Sequence, residues 1–399
     1  MLLSQEEALA RLLALAPPIR ADELVPVVDA CGRVLAKDVL APMDLPPWHV
    51  SMMDGYALAS AGFQAGVWPV SQRVVAGMAP NDLVAGSVAR IFTGAPLPFG
   101  ADCVVMQEDC RADADQVIIN RVPRERENVR QRGEDCQAGA LVLSAGSRLR
   151  VQDLGLLSAV GVEQVVVRKP VRVTVLSTGN ELVPSGRMPG PGQIPDANKA
   201  SLIGLLKALG CDVSDGGIVP DEPGAVRQAL LTAAGTADLV LTSGGVSVGD
   251  EDHLRRVVDE VGRIDAWQVA IKPGKPFAFG DVSGTPFLGL PGNPVSAFVV
   301  FLLFVRPFVL RMLGVTDTEP LRMAVPAGFS RPQAGKRREW LRCQLHQMAG
   351  QTRVVPCPNQ GSASLVSLSA ADGLLDVPAG ISVCEGDLLD FYPLTGWTA

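Results

Sequence analysis

The stretch Leu239-Val-Leu-Thr-Ser-Gly-Gly-Val-Ser-Val-Gly-Asp-Glu-Asp252 indicates the fold class of this 399-residue chain. Its apolar start is typical of a parallel strand that is covered on both faces. Gly244, Gly245 and Gly249 allow the backbone to approach a ligand that side chains would exclude. Three carboxylates follow at once, where the first backbone N–H groups of a new helix favour phosphate and the carboxylates suit Mg²⁺. The pattern predicts a loop that holds a phosphorylated ligand together with a metal ion.

Strands alternate with helices on both sides of this motif, which predicts a mostly parallel sheet covered on both faces. The predicted strands are Val171–Leu176, Cys211–Val213, Ile218–Val219, Asp238–Thr242, Ile264–Ile271 and Pro286–Leu290. The predicted helices are Lys199–Leu209, Asp221 or Glu222 to Ala234, His253–Val261 and a buried helix that begins after Asn293. Arg306 and Pro307 should end this last helix short of the ~20 residues that a membrane span needs.

The segments on either side of the sheet are predicted to be rich in strands. Ser4 and Glu7 have the spacing of a helix capping box, and a second helix is expected near Val151–Val160. Short valine-rich segments between turns dominate the rest of the first 169 residues. After about residue 316 the same rhythm predicts a small β-barrel. The fold class is therefore multidomain α/β plus β, with a β-rich N-terminal region (1–169), a central α/β unit (170–316) and a C-terminal barrel (317–399).

Composition excludes several classes of function. A net charge of −7 argues against general nucleic-acid binding. Eight scattered cysteines fit a reducing cytosol better than a disulfide framework, and three histidines leave little for a histidine-rich zinc site or a His-centred triad. Glu6 and Glu7 replace the basic segment of a secretion signal. We expect a cytoplasmic protein that binds neither membranes nor nucleic acid.

Three loops should meet at the carboxyl edge of the predicted sheet: Thr178–Glu181, Ser243–Asp252 and Lys272–Lys275. They offer an anion-binding backbone, carboxylates for a metal ion and two lysines that neutralise phosphate. Each loop alone also has an ordinary explanation as a solvent-exposed turn. On chemistry alone, Ser51–Tyr56 and Thr93–Pro98 are turns as well.

Taken together, the chain resembles the molybdopterin molybdenumtransferases of the MoeA type, whose eukaryotic counterpart is the gephyrin E domain. The segments that carry the resemblance lie in the family's order along nearly the whole chain: Ser51–Ala57, Ile91–Pro96, Arg132–Asp135, Ser177–Leu182, Ser243–Gly249, Ile271–Pro276, Leu290–Ser296 and Asn359–Ser362.

The resemblance implies a Mg²⁺-assisted conversion of adenylylated molybdopterin and molybdate into molybdenum cofactor, with release of AMP. It also implies an elongated homodimer with four domains per subunit and an active cleft shared between subunits. The N-terminal region would then contain two interleaved sub-domains, the inner one at roughly 48–136. Transient contact with a molybdopterin adenylyltransferase and with molybdoenzyme acceptors is a further expectation.

The resemblance assigns roles to particular residues of this sequence. The catalytic set that it implies is Asp54, Thr93, Asp135, Glu181, Asp221 and Asp252, with Glu181 and Asp252 as metal ligands. The implied substrate-binding set is Gly179, Ser243, Gly244, Gly245, Ser247, Gly249, Lys272, Lys275, Pro291, Asn293, Arg342 and Ser362. Within it, Lys272, Arg342 and Ser362 would bind molybdate, because an oxyanion needs cationic and hydroxyl donors.

One position departs from the family pattern, and two other functions remain open. Gln268 stands where relatives often carry a lysine, which should weaken or shift the binding of molybdate. A molybdopterin adenylyltransferase shares the α/β unit, although its glycine loop typically reads Gly-Gly-Thr-Gly. A non-catalytic scaffold of the gephyrin kind is the third alternative.

Overall fold

The computed structural model describes residues 2–246, 253–348 and 350–397. Its α-helices are Gln5–Ala14, Val151–Ala159, Ala197–Ala208, Pro223–Ala234, His253–Val261, Pro294–Val300, Arg306–Met312, Leu365–Ser369 and Leu394–Trp397, with short 3₁₀ turns at Val27–Asp29 and Gln107–Asp109. The strands outside the central sheet are Asp22–Pro26, Val39–Leu40, Val50–Ser51, Gly55–Leu58, Gly66–Val74, Val88–Ile91, Cys103–Met106, Cys110–Asp113, Gln116–Ile119, Val129–Arg130, Leu141–Leu143, Gln164–Arg168, Leu182–Val183, Ile194–Pro195, Ile271–Lys272, Met323–Pro326, Arg338–Met348, Gln351–Pro356, Gly373–Val377 and Leu388–Pro393.

Six strands form the central sheet, and we number them in chain order. They are β1 (Arg172–Thr178), β2 (Asp212–Val219), β3 (Leu239–Ser243), β4 (Gly262–Gln268), β5 (Pro276–Val282) and β6 (Thr285–Leu290). The order across the sheet is β2-β1-β3-β6-β5-β4. The first four strands of this order run parallel, and β5 is antiparallel to both of its neighbours. The predicted mostly parallel α/β sheet is confirmed, but its antiparallel strand β5 was not predicted. The two short strands predicted around residues 211–219 are one strand, because β2 continues past a register shift opposite Val175–Ser177.

Both faces of the central sheet are covered, as continuous apolar strands require. One face packs against the helix Ala197–Ala208 and the long helix that begins at Pro294. The N-terminal helix Gln5–Ala14 joins this layer through Ala8 and Leu12, and its Ser4–Glu7 capping box is present as predicted. The other face packs against Pro223–Ala234 and His253–Val261. This sandwich leaves the carboxyl edge of the parallel strands free for a site.

The helix that begins at Pro294 is longer than predicted. It continues through a π turn at Phe301–Val305 and ends at Met312, so the prediction that Arg306 and Pro307 stop it is wrong. The π turn shifts the hydrogen-bond ladder, and Pro307 then occupies the first turn of the next α-helical segment, where its missing N–H is not needed. The 19 residues are long and apolar enough to cross a membrane, but 89% of the most apolar window is buried inside the protein. It is therefore a core helix, as expected.

The C-terminal strands form a closed barrel, as predicted. The strand Arg338–Met348 pairs with Gln351–Pro356 on one side and Gly373–Val377 on the other. Met323–Pro326 completes the sheet, and a bridge between Ala327 and Val354 joins its two ends. This barrel also takes Ile271–Lys272 as an edge strand. The predicted strand Ile264–Ile271 is therefore wrong at its end, because the barrel pairs with a segment that the central sheet leaves free.

The N-terminal region contributes a separate six-stranded sheet built from residues 55–119. Strand Asp22–Pro26 pairs with Gln164–Arg168, so the two ends of the region lie together. Val50–Ser51 pairs with Val129–Arg130 at the base of the separate sheet. The loop that follows Ser51 is thereby held at an exposed end of this region.

Candidate functional site

A groove of about 780 Å³ lies at the edge where β1, β3 and β6 end. Its walls are Thr178–Glu181 after β1, Ser243–Val246 after β3 and Pro291–Pro294 after β6. The start of the helix Ala197–Ala208 forms the floor, and Ala363 and Leu365 of the barrel close one side. Two of the three predicted loops therefore meet at one site.

The two glycines after β3 are required by the close approach of the β1 loop. Gly244 and Gly245 have φ of +92° and +67°, a region that other residues rarely adopt. A Cβ on Gly244 would lie 2.4 Å from the Thr178 carbonyl oxygen, and one on Gly245 would lie 2.7 Å from the Thr178 hydroxyl. The glycine-rich loop therefore packs closely against the β1 loop, and both glycines line the groove. Ser247, Gly249 and Asp252 lie outside the described residues.

Glu181 and Asp221 are the predicted catalytic carboxylates that line the groove. The backbone N–H of Asp221 donates to Asn180 Oδ1 at 3.1 Å, which links the end of β2 to the β1 loop. Among residues 2–246, 253–348 and 350–397, no three His, Cys, Asp or Glu side chains come together as a metal site. Two carboxylates suit Mg²⁺ when phosphate and water complete its coordination.

The floor of the groove contains polar residues that sequence reasoning missed. Asp196 is the N-cap of the helix Ala197–Ala208, and Asn198 donates to Ser243 Oγ and to the Gly292 carbonyl, both at 2.7 Å. These bonds connect the helix to the loops after β3 and β6. An aspartate immediately before a predicted helix was the available signal, since it is a favoured N-cap. The position of Asp196 beneath the loops after β3 and β6 depends on the order of the strands in the sheet, which the local sequence does not give.

Lys272 lies outside the groove, which corrects the expectation that three loops meet at one site. Its strand pairs with Arg338–Glu339 of the barrel, and its side chain lines a second cavity of about 560 Å³. Lys275 is exposed and lines neither cavity, although the following Pro276 touches the groove. The loop Lys272–Lys275 follows β4, and β4 is the far edge strand of the sheet, two strands away from β6. The groove lies where β1, β3 and β6 end, so this loop does not reach it.

The second cavity is strongly basic. Lys272, Arg331, Lys336 and Arg337 line it together with one carboxylate, Glu339. Glu339 is buried and pairs with Arg331 at 2.7 Å and with Lys272 at 3.3 Å. Burial raises the pKa of Glu339, but the hydrogen bond and charge of Arg331 and the charge of Lys272 outweigh it and lower the pKa. With four cations to one anion, the cavity suits an oxyanion.

Arg342 and Ser362 lie in the barrel near the side of the groove. Arg342 is fully buried, and its guanidinium donates to the carbonyls of Asn359 and Gly361 and to Ser367 Oγ. The carbonyl of Ser362 accepts from the N–H of Val295, at the start of the long helix. In this arrangement Arg342 holds the loop that carries Ser362 rather than presenting its charge at the surface.

Asp54, Thr93 and Asp135 lie in the N-terminal region, away from the residues that line the groove. Both the N–H and the hydroxyl of Thr93 donate to Asp54 Oδ1 at 2.8 Å. These two hydrogen bonds, helped by the charge of Arg90, lower the pKa of Asp54 against a small opposing effect of burial. Asp135 pairs with Arg130, on the strand next to the one that leads to Asp54. Asp54 is half-buried, whereas Thr93 and Asp135 are exposed.

Gln268 lines a third cavity and not the basic one. Its neighbours there include Arg11, Arg255 and Asp265. The expected weakening of molybdate binding by this residue assumed that positions 268 and 272 face the same space. The structure separates them, because Gln268 ends β4 while Lys272 belongs to the barrel sheet.

Comparison with protein families gives three matches that together span most of the chain. Residues 3–161 match the MoeA N-terminal region (domain I and II), 174–311 match a probable molybdopterin binding domain, and 324–394 match the MoeA C-terminal region (domain IV).

Individual relatives agree with these matches. A molybdopterin molybdenumtransferase from Haemophilus influenzae is 38% identical over 78% of this chain and 78% of its own length. One from Nostoc is 36% identical over 90% of this chain and 85% of its own. A crystal structure of a molybdopterin biosynthesis MoeA protein from Pyrococcus horikoshii OT3 has a TM-score of 0.85 and 28% identity, and covers 98% of this chain and 100% of that chain.

Proposed function

The chain belongs to the MoeA family of molybdopterin molybdenumtransferases, and from this premise we propose how its two cavities share the reaction. It is a transferase of molybdenum cofactor biosynthesis that inserts molybdenum. The substrates are adenylylated molybdopterin and molybdate, and AMP is released. Because the relatives that match most of the chain are named as molybdenumtransferases, the adenylyltransferase alternative is not favoured.

The groove is the site for the pterin nucleotide, and its geometry is the observation that carries the proposal. Gly244 and Gly245 line a space of about 780 Å³ at the carboxyl edge of a parallel sheet, where such folds bind ligands. Glu181 and Asp221 line the same space. Carboxylates that act on a phosphate through a metal ion must lie beside that phosphate, and these two meet this requirement.

The basic cavity is the site for molybdate. An oxyanion needs several cationic donors, and this cavity provides four, of which Lys272 and Arg331 also pair with Glu339. Pro276 lines the groove and lies four residues from Lys272, so one short segment connects the two sites.

Magnesium is the divalent ion that fits the donors of the groove. Glu181 and Asp221 would hold it together with phosphate oxygens, and Asp252 would be a further ligand by the family pattern. When bound, the ion would polarise the phosphoryl oxygens of the pyrophosphate whose cleavage releases AMP. The carboxylates also accept hydrogen bonds from water and orient it toward the pyrophosphate.

The chain acts as a cytoplasmic homodimer with a shared cleft. Asp54 and the exposed Thr93 are hydrogen-bonded in the N-terminal region, while the walls of the groove come from residues 178–296 and 363–365 of the same chain. A second subunit that brings its Asp54 pair to this groove would complete the catalytic set. We place Asp135 and its partner Arg130 in the same contributed surface.

Purified adenylylated molybdopterin, Mg²⁺ and molybdate provide the direct test, with AMP and molybdenum cofactor as the measured products. Turnover that depends on molybdate is expected. Formation of adenylylated pterin from ATP and molybdopterin, without molybdenum insertion, would overturn the proposal.

The shared cleft is tested by mixing subunits. Homodimers of Asp54→Asn and of Glu181→Gln should each be inactive, because each lacks one half of every site. Heterodimers contain one intact site, so about a quarter to a half of wild-type activity should return on mixing, whereas a cleft built within one subunit predicts no recovery.

A further inference from the structure

The residues that line the groove include buried oxygens that the protein itself leaves unpaired. Thr178 Oγ1, Asp196 Oδ2 and Asn198 Oδ1 have no hydrogen-bond partner among the described residues. All three residues line the groove, and Asp196 is only 2% exposed. A buried polar atom without a partner is destabilising, so such atoms are usually satisfied by a ligand or by water.

The other polar side-chain atoms of Asp196 and Asn198 already have hydrogen-bond partners within the protein. Only the two unpaired oxygens can therefore accept hydrogen bonds from a ligand. Asp196 Oδ1 accepts from the N–H of Lys199 at 3.2 Å, as an N-cap does. The amide nitrogen of Asn198 donates to Ser243 Oγ and to the Gly292 carbonyl. Because both of its hydrogens are engaged, the amide cannot turn over, and Oδ1 must remain an acceptor. The first turn of this helix therefore offers two acceptors to a ligand.

We propose that Asp196 and Asn198 bind the aminopyrimidinone edge of the pterin, so that the pterin end of the substrate occupies the groove floor. This edge presents an amino group beside a ring N–H, two adjacent donors that match two acceptors. The corresponding edge of adenine presents one donor beside an acceptor and leaves one protein oxygen unpaired. The proposal rests on the assignment of the groove to the pterin nucleotide and adds which end of that substrate the floor selects.

Asp196→Asn is the decisive variant, because it keeps an oxygen for the helix cap and replaces the second acceptor by a donor. Asparagine caps helices about as well as aspartate, so the fold should be kept. Lumazine differs from a pterin in carrying an oxygen in place of the amino group. The variant should therefore bind lumazine more tightly than 6-hydroxymethylpterin, while the unmodified protein should show the opposite order.

Calorimetric titration with 6-hydroxymethylpterin, lumazine and AMP measures these preferences without any turnover. We expect the pterin affinity of Asp196→Asn to fall about 10- to 100-fold, as loss of a buried hydrogen-bond partner predicts, with AMP affinity changed less than about twofold. Asp215→Asn is the matched control. Asp215 is an exposed carboxylate of β2, and it pairs with Lys199 of the helix that Asp196 caps.

The outcomes separate this inference from the proposed function. If the unmodified protein binds the pterin but Asp196→Asn keeps the same order of preference, the inference is overturned and the groove assignment survives. If the unmodified protein binds none of the three compounds, both the inference and the assignment of the groove to the pterin nucleotide are refuted. An inverted preference in Asp196→Asn that Asp215→Asn does not share supports both.

Discussion

Replacing Glu339 by glutamine should weaken the fold and strengthen the binding of molybdate at the same time. Glu339 is the single carboxylate among the described residues that line the basic cavity, and it bridges Arg331 and Lys272. Glutamine has nearly the same shape but no charge. The change therefore removes the bridge while leaving both cations free to face an oxyanion.

The size of the stability loss follows from the exposure of the partners. The Glu339 side chain is 6% exposed, whereas those of Arg331 and Lys272 are 28% and 54% exposed. A hydrogen bond to a charged group contributes about 1.5–3 kcal/mol, and an exposed ion pair about 0–1 kcal/mol. The 2.7 Å contact with Arg331 belongs to the lower end of the first range, and the 3.3 Å contact with Lys272 belongs to the second. We expect the free energy of unfolding to fall by about 2 kcal/mol.

The pH dependence has a defined sign. Because the folded protein lowers the pKa of Glu339, its contribution is present above the unfolded pKa of about 4.3 and is lost as pH falls through the folded value. The difference in stability between the protein and Glu339→Gln should therefore be full at pH 7 and should narrow below about pH 4.

Urea unfolding and titration with molybdate test the two effects separately. Glu385→Gln is the control, since it breaks an ion pair with Arg353 in which Glu385 is 58% exposed, and should cost less than about 1 kcal/mol. Molybdate should bind Glu339→Gln several-fold more tightly and Glu385→Gln unchanged. A Glu339 variant as stable as the control, or one that binds molybdate more weakly, would refute this account of the cavity.

Three further predictions concern the fold and the Asp54 pair. Arg90→Met should raise the pKa of Asp54 and move the acid limb of the kcat/KM profile to higher pH, whereas Arg73→Met, which contacts Phe92 from the neighbouring strand, should not. Gly244→Ala should lower the free energy of unfolding by about 2 kcal/mol or more, because φ is +92° there; Gly224→Ala, in an open helix position, should not lower it. Arg342→Met should cost about 3 kcal/mol in urea unfolding, since two hydrogen bonds to carbonyls of the Ser362 loop and one to Ser367 Oγ disappear; an equally stable variant would contradict a structural role.

Local patterns predicted the elements of this fold because they depend on neighbouring residues. The Ser4–Glu7 capping box, the start of the long helix at Pro294 and the glycine-rich turn after β3 each require only a few adjacent side chains. The alternation of strands and helices then predicted a mostly parallel sheet, although not the order of its strands. For the same reason, the meeting of the β1 and β3 loops was predictable.

The position of Lys272 in the sheet of the barrel was not predictable from such local patterns. Its backbone pairs with Glu339, 67 residues further along the chain, and neither segment indicates the other in its own sequence. Arg342 presents the same difficulty. A sequence cannot tell whether an arginine faces a ligand or lies buried against the carbonyls of Asn359 and Gly361, as it does here.

The position of Gln268 shows why charge at an oxyanion site is better assessed by cavity than by sequence position. The substitution of a lysine by glutamine four residues before Lys272 suggests a weaker site only if both side chains face one space. In the fold, a strand end separates them, and Arg331, Lys336 and Arg337 of the barrel join Lys272 from another part of the chain. The attraction for an anion therefore depends on the loop that precedes the barrel strand Arg338–Met348, so the loss of a cation at position 268 leaves the balance of four cations to one carboxylate unchanged.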